Sequence, residues 1–246
     1  MNLDKEVSNA VQYYWAQLSD QADTQRDGEL AARGRRAEVL GGKQMDGFAS
    51  LVEDILKEAG LPKTSILHEH DATLPGFYRA TKRWDLSVVH EGELLAVIEF
   101  KSISSSFGNN LNNRVEEALG NPTDLYAAYE EGAFEPSPNP WMGYLLMMGE
   151  DEKSTNPVSV REPNFEIFEE FRGASYIDRG EQLCLRLLRH RLYNGCAFLL
   201  SDSRRGIKGG YTEPNEELTF KRFASLLVGY IQGYLDFENG MKNDRR

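Results

Sequence analysis

The sequence predicts an α/β (α+β) domain, with a mixed central β-sheet flanked by helices. Three observations carry that expectation. Short β-prone runs at 86–89, 94–98, 142–148 and 196–200 alternate with stretches of helical periodicity. The run 94–98 is apolar on both faces, as a covered central strand is. A chain of 246 residues with 40% apolar side chains can bury a core of the size such a sheet needs.

The elements follow in order. Val7, Val11, Tyr14, Trp15 and Leu18 recur at helix spacing. A polar stretch follows, from Ser19 to Lys43, with Arg33, Arg35, Arg36 and Lys43 as the first positive cluster. Met45, Phe48, Val52, Ile55 and Leu56 form the stripe of a second helix, stopped by Gly60 and Pro62. The runs 86–89 and 94–98 form a hairpin around a three-residue loop, Glu91-Gly92-Glu93. The Ser/Gly/Asn-rich segment 102–113 reads as a loop leading to a helix over about 114–131. Helical patterns at 181–192 and 216–237 close the chain. It reads as a single domain, 1–246, whose core spans about 44–200 with N- and C-terminal helices appended.

Composition excludes several classes of function. The balance of 28 basic against 39 acidic residues, net −11, opposes whole-surface nucleic-acid binding but leaves room for a local basic cleft. Mean hydropathy is −0.53, and no apolar run approaches the roughly 18–20 residues of a membrane span, so no membrane partner is expected. The start has no basic region followed by an apolar one, so no secretory signal is expected. Two cysteines, Cys184 and Cys196, supply neither a disulfide framework nor a Cys-rich zinc site, and suit a reducing cytosol. His68-Glu69-His70-Asp71 stands without a second cluster, which argues against structural zinc and against an HNH-type nuclease.

The chemistry concentrates at Lys82-Arg83-Trp84-Asp85 and Glu99-Phe100-Lys101. Residues two apart on a strand point the same way, so Glu99 and Lys101 share a face opposite Ala96, Ile98 and Phe100. With a three-residue loop, His90 opposes Leu94, Val88 opposes Ala96, Leu86 opposes Ile98, and Asp85 falls across from Glu99. Opposed Cβ atoms lie roughly 4.5–5.5 Å apart. A two- or four-residue loop breaks that match unless a bulge compensates. Two carboxylates so close repel, and a divalent cation such as Mg²⁺ removes the conflict. The cation polarises a phosphate and acidifies its water, while a lysine on the same face orients that water. The competing reading of Glu-x-Lys is a solvated salt bridge at a strand end, though charges on so apolar a run are rarely placed without a function.

Trp84-Asp85 with Glu99-Phe100-Lys101 resembles the PD-(D/E)xK nuclease core, with Trp in place of the usual Pro. More specifically, the chain resembles the XhoI family of type II restriction endonucleases. The stretches that carry the likeness begin with Leu40-Gly41-Gly42, Met45-Asp46-Gly47-Phe48 and Leu74-Pro75-Gly76-Phe77-Tyr78-Arg79. Phe107-Gly108-Asn109-Asn110-Leu111-Asn112-Asn113-Arg114 and Phe171-Arg172-Gly173-Ala174-Ser175-Tyr176 complete them. The resemblance implies a restriction-endonuclease-like core and a homodimeric, Mg²⁺-dependent enzyme of the bacterial cytoplasm. It implies cleavage of both strands of CTCGAG with 5′-phosphate ends, and a cognate DNA methyltransferase as genetic partner. By motif position, Asp85 and Glu99 bind metal and Lys101 serves the water.

Further candidates lie outside the core. Glu53, at the flank of the second helix's stripe, is a candidate second-metal ligand or a plain exposed carboxylate. Asn109, Asn110, Asn112, Asn113 and Arg114 suit base-edge contacts to double-stranded DNA; alternatively, the asparagines cap the helix expected near Arg114. Arg204, Arg205 and Lys208 sit in a Gly-rich basic loop suited to phosphate or guanine, or simply solvated. Lys82 and Arg83 are placed for the DNA backbone beside the cut. Arg186, Arg189, His190 and Arg191 read first as a solvated helix face. Phe220, Phe223, Tyr230, Tyr234 and Phe237 read as a packing face. Two other functions compete: a repair or recombination nuclease reading DNA structure, and a non-catalytic acidic binding protein.

Overall fold

The computed structural model describes residues 1–27 and 43–244. Arg33, Arg35, Arg36 and Leu40-Gly41-Gly42 lie outside the described residues. In chain order the elements are α1 (Leu3–Asp27), α2 (Asp46–Glu58), β1 (Ile66–His68), β2 (Thr73–Pro75), β3 (Thr81–Arg83), β4 (Leu86–His90) and β5 (Glu93–Ile103). Then come α3 (Phe107–Glu130), β6 (Trp141–Gly149), α4 (Tyr176–Arg189), β7 (Gly195–Ser201) and α5 (Phe220–Asp244).

Strand β5 is buried at every position from 94 to 100, which fits its continuous apolar run. It lies at the centre of a five-stranded sheet of order β1-β4-β5-β6-β7. The pairs β1/β4 and β4/β5 are antiparallel, and β5/β6 and β6/β7 are parallel. The expected mixed sheet is therefore present. Helices α1, α2 and α5 cover one face, where Tyr14, Phe48, Val52 and Phe223 pack against Leu86, Ile98 and Phe100. Helices α3 and α4, which make the crossovers between parallel strands, cover the other. There Leu111, Ala118 and Leu187 pack against Val97, Tyr144 and Phe198. Strands β2 and β3 form a separate two-stranded sheet with Leu74 opposite Lys82.

The β4–β5 connection differs from the three-residue loop expected. Glu91 and Gly92 alone make the turn, at φ +50° and +89°, and His90 pairs with Glu93 and Val89 with Leu94. Two successive residues with positive φ match the twist of a two-residue hairpin, and Gly92 adopts that conformation without a Cβ penalty. The ladder slips between Val88 and Val89, leaving Leu95 as an extra residue. Both Leu95 and Ala96 pack on the α1/α2/α5 face. Beyond the bulge the ladder returns to Val88 opposite Ala96 and Leu86 opposite Ile98. The bulge thus restores the register that the shorter turn removes.

Three more expectations are corrected. The segment 107–113 is helix, not loop: α3 starts at Phe107, seven residues before Arg114. Asparagine is a weak helix former, but Phe107 and Leu111 are buried one turn apart, and Phe107 stacks on Tyr176 with ring centroids 6.1 Å apart. Burial overrides local propensity here. The segment after β7 is likewise no open loop. Ser203–Gly206 form a helical turn capped by Asp202, whose Oδ1 accepts the Arg204 and Arg205 N–H groups at 2.8 and 3.1 Å. A Cβ on Gly206 would lie 1.8 Å from the Trp15 indole, so this turn is seated tightly on α1. Helix α4 starts at Tyr176 rather than 181, where Ser175 and Asp178 form a capping box.

Candidate active site

Four side chains from two strands and one link converge beside the centre of the sheet. Trp84 is buried and its main-chain N–H donates to the Ala72 carbonyl at 3.0 Å, which fixes the link from β3 to β4. Asp85 follows, at the mouth of β4. Its Oδ2 accepts the Phe100 N–H at 2.7 Å. On β5, Glu99 and Lys101 share the face of Val97, as strand alternation requires. The Lys101 ammonium is 3.4 Å from Asp85 Oδ2 and forms a tight ion pair with Glu99 Oε2. From β3, Lys82 reaches Glu99 Oε1 at 2.5 Å and the Arg83 carbonyl at 3.1 Å. Its ammonium sits 4.4 Å from the centroid of the Trp84 ring.

Burial is unequal across the group. The Glu99 side chain is 1% exposed, those of Lys82 and Lys101 are 12% and 16%, and that of Asp85 is 40%. Asp85 is therefore the open rim of an otherwise enclosed charge cluster. Burial and the neighbouring Glu99 charge push the Asp85 carboxyl above its ordinary pKa, against the pull of Lys101. Burial acts the same way on Glu99, but the Lys101 and Lys82 ammoniums outweigh it and hold that carboxyl low. Burial alone would lower Lys101; Glu99 and Asp85 overcome it and raise its pKa, so the amine stays protonated. Two neighbouring carboxyls are thus driven apart by their surroundings, a pattern of functional sites.

The donor set fits a divalent cation. Asp85 offers carboxylate oxygen to solvent, and its disfavoured ionisation is relieved by a nearby positive charge. Glu99 Oε2 is buried and, apart from its ion pair with Lys101, accepts no well-directed hydrogen bond. Among the described residues no third His, Cys, Asp or Glu joins these two in a metal-binding group. Water, a main-chain oxygen and a substrate phosphate are left to complete the shell, as hard oxygen-loving cations allow.

The other predicted residues lie elsewhere. Glu53 on α2 bonds His68 Nε2 at 2.9 Å and Lys57 at 3.3 Å. His68 belongs to this pair, on the β1 side of the sheet. Arg83 is exposed on β3. Asn109 and Asn113 are exposed on the first turns of α3; Asn110 donates to the Ser105 carbonyl at 2.7 Å, and Arg114 pairs with Glu117 at 2.9 Å. Arg205 is held by Asp202 and Glu150, while Arg204 and Lys208 are exposed beside it. Arg186 lies 4.7 Å from the Phe171 ring, and Arg189 is 3.6 Å from Glu217. Phe220 and Phe223 are core residues, whereas Phe237 is 65% exposed.

Sequence reading missed two polar links. Gln44 donates to Ser102 Oγ at 2.8 Å, directly after Lys101. Asp124 on α3 clasps the β2–β3 turn: it accepts the Phe77 and Tyr78 N–H groups at 2.9 and 2.7 Å and Arg79 Nε at 2.6 Å. Neither pair is close in sequence, so only tertiary structure reveals it. Reading Lys82 as a backbone contact also overlooked its bond to Glu99.

A mixed sheet of this order, with helices on both faces and an acidic pair plus lysine beside its central strand, is a restriction-endonuclease-like core. The family model described as restriction endonuclease XhoI matches residues 24–213, more than half of the chain. Over 204 residues the sequence is 43% identical to the type II restriction enzyme BstVI of Geobacillus stearothermophilus, covering 80% of this chain and 91% of that one. It is 40% identical over 188 residues to the type II restriction enzyme XhoI of Xanthomonas vasicola, covering 75% of each. It is 39% identical over 165 residues to AbrI of Azospirillum brasilense, covering 66% and 73%. No solved structure gives a significant match. The chain belongs to the XhoI restriction endonuclease family, whose members named here are type II, site-specific deoxyribonucleases. No described helix is long and apolar enough to cross a membrane.

Proposed function

We propose that this enzyme cuts both strands of double-stranded DNA at the palindrome CTCGAG, with Mg²⁺ as cofactor, leaving 5′-phosphate ends. The observation that carries the chemistry is the meeting of Asp85, Glu99 and Lys101 within ion-pair distance on one patch. The choice of target rests on membership of the XhoI family.

Asp85 and Glu99 would hold the metal. When bound, Mg²⁺ polarises the scissile phosphate and acidifies water beside it. Glu99, kept ionised by two ammoniums, supplies a permanent negative charge. Lys101 stays protonated, so it acts as a donor: it orients the attacking water and offsets charge developing on the phosphate oxygens. The water oxygen bonds to phosphorus as the bond from phosphorus to the 3′ oxygen breaks; the water's proton leaves to bulk solvent, and the departing 3′ oxygen takes up a proton from solvent. The products are a 5′-phosphate and a 3′-hydroxyl. Lys82 positions Glu99, and Trp84 backs its ammonium.

Cutting both strands of a palindrome calls for two such sites related by a two-fold axis, hence a homodimer. Arg83, Asn109, Asn113, Arg114, Arg204 and Lys208 remain DNA contacts on this reading. A methyltransferase modifying the same sequence would protect the host. Glu53→Ala tests the second-metal role: unchanged metal-dependent cleavage removes that residue from the site.

Digestion of a plasmid with a single CTCGAG, with and without Mg²⁺ and EDTA, tests the whole reading. The expected product is linear DNA whose ends map inside CTCGAG and carry 5′-phosphates. Cutting elsewhere, or preference for branched DNA, overturns the target.

A further inference from the structure

Phe77 and Tyr78 are 50% and 71% exposed, adjacent in sequence, and packed edge to face with ring centroids 4.9 Å apart. Contiguous exposed apolar surface marks interaction sites more often than singly exposed side chains do. The backbone that presents these two is clasped from behind. Asp124, itself 3% exposed, accepts both of their backbone N–H groups and the Arg79 Nε. Asn121, also buried, accepts Arg79 Nη2 at 3.1 Å. A Cβ on Gly76 would meet Asp124 Oδ2 at 2.6 Å, so the turn closes on Asp124 only because position 76 is glycine. A buried carboxylate, a buried amide and an arginine are thus devoted to a turn whose outward product is two solvent-facing rings.

The turn also has a defined place. It joins β2 to β3, and β3 carries Lys82 onto Glu99. Tyr78 precedes Lys82 by four residues, at most about 13 Å along an extended chain. The turn therefore lies within about four base-pair steps, of roughly 3.4 Å each, of Lys82. Basic side chains follow the rings in sequence: Arg79, with a side chain 44% exposed, and the exposed Arg83. Aromatic rings among cations suit the bases and phosphates of nucleic acid.

We infer that the Phe77–Tyr78 turn is a rigid aromatic wedge that packs its rings against the bases of duplex DNA a few steps from the cut. In this role it seats the duplex on the site formed by Asp85, Glu99 and Lys101. This rests on the nuclease reading above. The rings contribute apolar contact and unstacking, and the phosphates fall to the exposed Arg83, since Arg79 is engaged by Asp124 and Asn121. Insertion of apolar side chains between base steps is an established way to fix a duplex against a protein.

The test uses the full-length protein, a CTCGAG duplex and Ca²⁺ in place of Mg²⁺ to hold cleavage off. Phe77→Ala/Tyr78→Ala should weaken binding about 10- to 100-fold, the scale of lost base–aromatic contacts. Its slope of log affinity against log salt should match the wild type, because no phosphate contact is removed. 2-Aminopurine within the site should brighten on binding wild type and stay dark with the variant. Tyr78→Ser, which alters one exposed ring only, should lose part of the affinity and guards against misfolding of the double variant. Binding within twofold of wild type by both variants overturns the wedge. So does a loss of affinity accompanied by dissociation of the dimer, which would make the rings a subunit contact. Cleavage by the wild type separates the two claims. If it cuts CTCGAG while the variants bind normally, only the wedge fails. If it cuts no DNA, the nuclease reading fails and the wedge falls with it.

Discussion

The Phe100 main-chain N–H donates to Asp85 Oδ2 at 2.7 Å, so the carboxylate entering from the β3–β4 link is tied to the strand that carries Glu99 and Lys101. Position and charge at Asp85 can therefore be separated, since an asparagine carbonyl accepts the same bond. Burial, then Glu99, raises the Asp85 pKa. The neutral form is the one the fold favours. That contribution is full below the unfolded value of about 3.9 and is lost as pH rises through the raised folded value. Asp85→Asn, in EDTA, should melt above wild type at neutral pH and lose its advantage below about pH 4. Its Mg²⁺-dependent cleavage should fall about 100-fold or more. Paired thermal melts and single-turnover assays check both.

Lys101 touches both carboxylates, yet its removal leaves Glu99 paired with Lys82. Lys101→Ala should consequently fold, bind CTCGAG in Ca²⁺ with near-normal affinity, and cleave about 10²- to 10³-fold more slowly, as loss of one preorganised donor does. Gel-shift titration beside a quenched time course measures the split.

Lys82 is the second cation on the most deeply buried carboxylate in the site. Burial works against the Glu99 charge, and Lys101 with Lys82 hold its pKa low. Stability from this ionised group is present above the unfolded pKa of about 4.3 and lost as pH falls through the depressed folded value. Lys82→Met should cost about 1–3 kcal/mol near neutrality, less than a fully unpaired buried charge because Lys101 remains. The deficit should shrink below about pH 4. Urea melts across pH 3–8 read it directly.

The bulge and turn set the register, so they should be sensitive to shape. Gly92 turns at φ +89°, and a Cβ at that position would meet nothing within 4 Å, so conformational strain alone opposes a side chain there. Gly92→Ala should cost about 1 kcal/mol, seen as a shift in denaturation midpoint with unchanged slope.

The active-site register is legible in the sequence for a reason partly different from the true one. Alternation along 94–101 sorts Glu99 and Lys101 from Ile98 and Phe100, because strand periodicity is local. The expected loop is one residue too long, and the Leu95 bulge supplies the compensating residue. Positive φ at Glu91 is not visible in a residue type that seldom adopts it. The start of α3 is hidden because its asparagines argue for loop, while Phe107 finds its partner Tyr176 far along the chain. Lys82 is recognisable as lying near the site but not as a partner of Glu99. The β2–β3 hairpin that aims it is held where Arg79 meets Asp124, 45 residues further along the chain. The legible parts are those fixed by neighbours in sequence, and the others depend on contacts across the fold.

On the proposed reading, Asp85 and Glu99 together hold a divalent cation beside Lys101. Calorimetric titration of Ca²⁺ into the protein–CTCGAG complex tests it most directly, comparing wild type with Asp85→Asn, Glu99→Gln and the double variant. Wild type should bind saturably, each single variant at least tenfold more weakly, and the double variant not at all. Wild-type affinity retained in the double variant, with its duplex still bound, would contradict it.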